Sequence, residues 1–250
     1  MSTQAILDVR AVSRSFGMLK AVDDVSLRVD EGEVVGIIGT NGSGKTTLVN
    51  LVTGYLAPTS GTILLDGRAI AGLKPRQITV LGVTRSFQVP QIYTGMSVLE
   101  NALIAVATRY RHASDFWRAL RRPEWLREAG DLLERFGLAG HASQSAANLS
   151  EGGRKLLDVA MSFVLQPRLL LMDEPTSGVS AKDKFAVMDT VMNALAERGV
   201  TTIFIEHDME IVERYARRGV AFAGGRIIAD GDVSSVLAEP EVRRAVLGED

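Results

Sequence analysis

Gly39-Thr40-Asn41-Gly42-Ser43-Gly44-Lys45-Thr46 is the stretch of this 250-residue chain that leaves the least freedom to its fold. It follows Val34-Val35-Gly36-Ile37-Ile38, an apolar run that reads as a strand buried on both faces. It precedes Leu48, Val49, Leu51 and Val52, which recur at helical spacing until Gly54. The pattern G-x-x-x-x-G-K-[ST] is matched in full, and between a strand and a helix. Glycines let the backbone curl so that consecutive N–H groups point at phosphate oxygens, and the opening of the helix adds its positive dipole end. Lys45 supplies a point charge to β- and γ-phosphates, and the Thr46 hydroxyl is a ligand for Mg2+.

The remaining chain has a matching rhythm. Residues 6–12 and 25–29 alternate or cluster apolar side chains as strands do, and Asp30-Glu31-Gly32 turns the chain into the buried strand. Pro58-Thr59-Ser60-Gly61 marks a turn, and residues 62–65 with Asp66-Gly67 predict a further strand and turn. From about residue 97 to 144, apolar residues recur at helical spacing, in 98–108 and 125–136, which predicts an all-helical insertion. Helix 154–165, strand 169–172, helix 181–197 and strand 201–205 then alternate, implying a largely parallel sheet with crossover helices. Residues 220–223 and 227–229 predict a hairpin-like pair, followed by two short helices.

Several classes of function are disfavoured. A net charge of −2 argues against a nucleic-acid binder. Cysteine is absent, which excludes disulfides, thiolate metal sites and cysteine nucleophiles, and fits a reducing compartment. The first thirty residues show no signal-peptide pattern. The longest strictly apolar run, residues 102–107, is far short of the roughly 20 residues of a membrane-spanning helix. Any role at a membrane therefore has to come through a partner.

A second chemical element is Leu169-Leu170-Leu171-Met172-Asp173-Glu174. A buried strand ending in acids brings a carboxylate to the shell of a phosphate-bound Mg2+. Asp173 is the metal-side residue, Glu174 is placed to orient or deprotonate an attacking water, and Pro175 ends the strand.

A third element separates the possible families. In Leu149-Ser150-Glu151-Gly152-Gly153, just before a helix, Ser150 and Gly152 resemble the L-S-G-G-Q signature of ABC ATPases. Other landmarks of that family fall in the same order. Phe16 resembles the aromatic residue that stacks on adenine, and Gln88 the Q-loop glutamine that contacts the metal. Ser177-Gly178-Val179-Ser180 occupies the D-loop, and His207 resembles the switch histidine. The resemblance covers essentially the whole chain. It implies an α/β fold: a P-loop NTPase core with a mostly parallel sheet, an N-terminal antiparallel β-subdomain and an inserted α-helical subdomain. It further implies one domain over residues 4–250, with the helical part at about 89–165. ATP and Mg2+ are the implied ligands. Gly39, Thr40, Asn41, Gly42, Ser43, Gly44, Lys45, Thr46 and Thr47 would hold the nucleotide with Phe16, Gln88, Ser150 and Gly152. Thr46, Gln88 and Asp173 would serve the metal, and Lys45, Glu174 and His207 catalysis.

Within that family the chain is most similar to ATPase subunits of branched-chain amino acid importers. The residues concerned are Thr84-Arg85-Ser86-Phe87-Gln88, Met96-Ser97-Val98-Leu99-Glu100-Asn101, Ile205-Glu206-His207-Asp208-Met209 and Val246-Leu247-Gly248-Glu249. Importers of urea, amides or other amino acids share these motifs. A non-transport ABC ATPase is the competing class, but the long inserted coiled coils or doubled ATPase units of such proteins are not found here. Transport implies permease subunits, a solute-binding protein, the cytoplasmic face of the membrane and a second ATPase subunit. Two positions depart from the family pattern. Gly153 stands where glutamine is usual, and Ser180 where aspartate or asparagine is usual. Both belong to loops offered to the second ATPase, which favours a heterodimer with a sister subunit. The six arginines and two acids of residues 109–127 read first as a solvated helix face, and otherwise as a contact for anionic lipid headgroups or an acidic permease loop.

Overall fold

The computed structural model describes residues 5–110 and 122–248. Most of the arginine-rich run, residues 111–121, lies outside the described residues. The chain forms two compact units, one made of residues up to 83 and from 200 onward, the other of residues 84–199.

The first unit begins with a long hairpin. Strand β1 (Ala5–Phe16) pairs antiparallel with β2 (Leu19–Asp30), with Phe16 opposite Leu19 across a two-residue turn. Both strands run past the apolar segments 6–12 and 25–29, because polar residues of the exposed face continue the ladder. β4 (Ser60–Leu65) pairs with the other edge of β1, and the two-residue β5 (Arg68–Ala69) completes an antiparallel sheet in the order β2-β1-β4-β5.

The phosphate-loop strand, β3 (Val34–Gly39), lies between two parallel neighbours, β8 (Thr201–Ile205) and β9 (Arg218–Ala223). Its residues 35–39 are all buried, as expected of a strand covered on both faces. β10 (Arg226–Asp232) adds antiparallel to β9 as the predicted hairpin. Helix α1 (Lys45–Val52) follows β3 after the glycine-rich loop. The six-residue α2 (Pro75–Val80) went unread in the sequence because it is too short for periodicity to register, although Pro75 at its first turn is a start signal. Helix α7 (Met209–Tyr215) lies so close to β3 that a Cβ on Gly36 would stand 2.8 Å from Val212 Cγ1 and 3.0 Å from Ala216 Cβ. The helices α8 (Val233–Ala238) and α9 (Pro240–Val242) follow, and a π-helical turn (Arg243–Leu247) comes after them.

The second unit is mainly helical. Its strands are the neighbours β6 (Val83–Ser86) and β7 (Leu169–Asp173). β6 is a four-residue strand that residue patterns alone did not announce. Its helices are α3 (Val98–Arg109), α4 (Pro123–Arg135), α5 (Glu151–Phe163) and α6 (Lys184–Ala196). Ser97 and Glu100 form a reciprocal cap on α3: the Ser97 Oγ accepts from Glu100 N, and Glu100 Oε2 accepts from Ser97 N at 2.8 Å. α5 starts three residues earlier than the apolar spacing indicates, because the Ser150 side chain caps it. Phe136 meets Phe163 edge to face at 5.5 Å, and Tyr110 stacks on Trp125 at 5.9 Å. Fully burying an apolar side chain of this size stabilises by about 1.5–3 kcal/mol.

Candidate functional site

In the first unit the loop after β3 has backbone that tolerates no side chain at Gly39 and Gly44. Gly39 has φ 154, and a Cβ there would sit 2.4 Å from Phe222 O and 2.7 Å from Ser43 Oγ. Gly44 has φ 109, and its Cβ would meet Ala21 O at 2.2 Å. The loop is tied from outside: Gly225 N donates to Ser43 O, and Asp23 N donates to Gly225 O, both at 2.9 Å. Lys45 is buried, and its Nζ reaches back to donate to the carbonyls of Gly39 (2.8 Å) and Thr40 (2.9 Å). Gly44, at the N-cap of α1, offers no side-chain cap, and the first helical turn holds no acid. Ser43 Oγ is buried and has no hydrogen-bond partner among the described residues. An uncapped helix start, an orphaned buried hydroxyl and a lysine inside the loop together fit a phosphate group. Thr40, Asn41, Gly42 and Thr46 are exposed, and Thr47 is half-buried.

Two further residues of this unit belong to the expected set. Phe16, at the end of β1, is 46% exposed, with the Arg14 guanidinium 4.8 Å from its ring centroid, so an open aromatic face is present. His207 is exposed just past β8; Glu206 N continues the pairing to Ile37 O at 3.2 Å, so His207 is carried on the strand beside β3.

In the second unit Gln88, Asp173 and Glu174 come together. Asp173, 1% exposed at the end of β7, accepts a 2.7 Å bond at Oδ2 from Arg85 of β6. Its Oδ1 is buried without a hydrogen-bond partner among the described residues, which suits a carboxylate that ligates a cation or its water. Glu174 has φ 50, a left-handed backbone for a non-glycine residue that also precedes Pro175. Such conformations cost about 1–3 kcal/mol and persist only where the surroundings hold them. Here Gln88 Nε2 donates to Glu174 Oε2 at 2.8 Å, and Lys155 Nζ donates to Glu174 O at 2.9 Å and also to Gln88 O. Asp158 accepts from Phe87 N at 3.0 Å and Gln91 N at 2.8 Å. Burial pushes the Asp158 carboxyl above its ordinary pKa, opposed by those two N–H groups and by the charges of Lys155 and Arg85.

Arg85, Lys155 and Asp158 were not singled out as individuals by sequence reasoning. A signal was there: Lys155 and Asp158 lie three residues apart among Leu157, Val159 and Ala160, on the stripe of α5 that is buried.

The signature residues line a separate cavity of about 600 Å3, faced by Ser150, Gly152 and Gly153 on one side and by Val179 and Ser180 on the other. Ser150 Oγ accepts from Gly153 N at 3.2 Å. A Cβ on Gly152 would stand 3.1 Å from Val187 Cγ2, so glycine lets α5 approach α6. Ser180 Oγ donates to Asp183 Oδ2 at 2.6 Å, ahead of α6.

Comparison with known proteins bears on the family and the fold. The family model described as ABC transporter matches residues 22–177. LivG of Salmonella typhimurium (strain LT2), a high-affinity branched-chain amino acid transport ATP-binding protein, is 37% identical over 254 residues, covering 99% of both chains. BraF of Pseudomonas aeruginosa, described in the same words, is 35% identical over 256 residues, again covering 99% of both. The structure is similar to the ADP conformation of MJ1267, an ATP-binding cassette of an ABC transporter, with a TM-score of 0.85 and 31% identity over 99% of this chain and 100% of that one.

Proposed function

This chain belongs to the ABC transporter family and is an ATPase, and we propose that it uses MgATP to drive uptake of branched-chain or related amino acids through partner permeases. The observation that carries this reading is the loop over residues 39–46, where a Cβ would clash at Gly39 and Gly44 and where Lys45 lies buried. The amino acid class is supported by the names of LivG and BraF, each similar over 99% of its length.

In this reading Lys45 and the loop amides bind the phosphates, and Phe16 packs on the adenine. Thr46, Gln88 and Asp173 would hold Mg2+. When bound, Mg2+ neutralises charge on the phosphate oxygens. Among the described residues no group of three or more His, Cys, Asp or Glu side chains is placed to hold a metal ion. Glu174 takes or orients a proton of the attacking water, and His207 serves as the switch histidine. Ser150 and Gly152 present the start of α5 to nucleotide held by a second ATPase subunit.

That second subunit is a sister chain rather than another copy. Support comes from Gly153 and Ser180, both on the cavity-lining loops offered to a partner. A solute-binding protein completes the system. No helix among the described residues is long and apolar enough to cross a membrane. In this reading the chain attaches to the cytoplasmic face through its permeases.

The reading is tested by expressing the full chain with the membrane proteins encoded beside it and purifying it in detergent. Permeases should co-purify, and the assembly should hydrolyse ATP faster when loaded binding protein is added. An assembly without ATP turnover would overturn the reading. For the heterodimer, the isolated chain should be mainly monomeric and slow. Rapid, positively cooperative hydrolysis by this chain alone, with an ATP-bound Glu174→Gln homodimer, would refute that part.

A further inference from the structure

We propose that Lys155, with Asp158, is a positioning residue for hydrolysis: from the buried face of α5 the two fix the backbone around Gln88 and Glu174 so that those side chains meet. The inference rests on the hydrolytic role of Glu174 given above.

Lys155 is 2% exposed, and a buried ammonium is costly unless bonded and compensated. Its Nζ donates to the carbonyls of Gln88 and Glu174, residues 86 positions apart whose side chains are joined at 2.8 Å. Asp158 grips the same segment by its opposite polarity, with one carboxylate oxygen on Phe87 N and the other on Gln91 N, on either side of Gln88. Ser162 Oγ adds a bond to Arg85 O at 3.0 Å. Positions 155, 158 and 162 form one stripe of a helix, and all three spend their polar groups on the stretch 85–91.

The bond to Glu174 O matters most, because Glu174 is held at φ 50 before a proline. Without the ammonium, that carbonyl loses a partner fixing the left-handed conformation, and the backbone can relax toward extended geometry. The carboxylate would then leave Gln88. Displacement of a reacting group by about 1 Å costs on the order of 10²-fold in rate. Gln88 also belongs to the proposed Mg2+ set, so nucleotide affinity should fall somewhat, but by less than kcat.

The experiment compares Lys155→Met, Lys155→Arg and Asp158→Asn in the full chain within its assembled transporter. It reads kcat at saturating MgATP, nucleotide affinity with a fluorescent ATP analogue, and thermal stability. Lys155→Met should lower kcat by about tenfold or more while affinity stays within about threefold. Lys155→Arg, which keeps a cation, should recover most of the rate. Asp158→Asn keeps the volume but replaces one acceptor by a donor, and should fall between. If Lys155→Met does not fold, Asp158→Asn decides: a kcat loss that exceeds the loss of affinity supports the proposal, and unchanged kcat overturns it. Equal loss of kcat and affinity, or failure of arginine to restore the rate, would also overturn it and mark Lys155 as packing alone. A wild-type assembly without ATP turnover would instead strike the functional reading, and this proposal with it.

Discussion

Replacing Arg85 by leucine would strand the Asp173 carboxylate in the interior of its unit. The two side chains are 8% and 1% exposed, and their contact is a 2.7 Å charge-assisted bond. Asp173 Oδ1 accepts no hydrogen bond among the described residues, so little is left to compensate the charge. Breaking a buried ion pair from one side costs about 3–5 kcal/mol, because the survivor stays desolvated. Losing the guanidinium from above the Phe87 ring, 4.8 Å away, removes about 0.5–1 kcal/mol more. For a chain of this length each kcal/mol moves Tm by roughly 2–4 °C, so Arg85→Leu should melt about 7–24 °C lower. Scanning calorimetry of the purified chain near neutral pH reads this directly. The double variant Arg85→Leu with Asp173→Leu removes both charges and should regain much of the loss, since apolar replacement of a whole buried pair is often neutral. A single variant within about 2 °C of wild type, or a double variant no better than the single, would refute the argument.

Lys45→Ala should abolish tight MgATP binding, since the β- and γ-phosphates lose their cation in the loop; retention of about micromolar affinity by titration calorimetry would count against that role. Glu174→Gln should keep ATP binding while steady-state hydrolysis drops by about 10²–10⁴, the usual range for loss of a general base. Gly36→Ala should cost about 1–3 kcal/mol in urea unfolding, because its new methyl group would meet Val212 Cγ1 at 2.8 Å. An unchanged midpoint would show that α7 shifts freely off β3.

Contiguity decides what the chain reveals before it folds. Residues 39–46 are legible because the phosphate cradle is made by neighbours in sequence, and Gly39 and Gly44 are glycine for reasons visible at once in the clashes a Cβ would make. Asp173 is legible for the same reason, as the polar stop of an apolar strand. Arg85 is different: its significance depends on a partner 88 positions away, which no local pattern reports. Lys155 and Asp158 look like solvent-facing charges until the buried side of α5 is known. Elements follow the same rule. Long periodic stretches such as α3 and α5 announce themselves, whereas β5, α2 and β6 hold two, six and four residues, too few for a period to show.

The central strand of the phosphate site takes both of its ladder neighbours from residues beyond 200, so the cradle is synthesised long before it can be assembled. On a ribosome adding about 5–20 residues per second, β3 waits roughly 10–40 s for β8 and β9 to emerge. During that interval an apolar strand with two unsatisfied edges is exposed, the kind of surface on which chaperones act. A chain truncated before residue 218 would keep every residue of the G-x-x-x-x-G-K-[ST] motif and still lack the parallel strand against Gly39. Nucleotide capture is therefore among the last properties a nascent chain acquires, and a labelled ATP analogue would report completed synthesis rather than the first half of the fold.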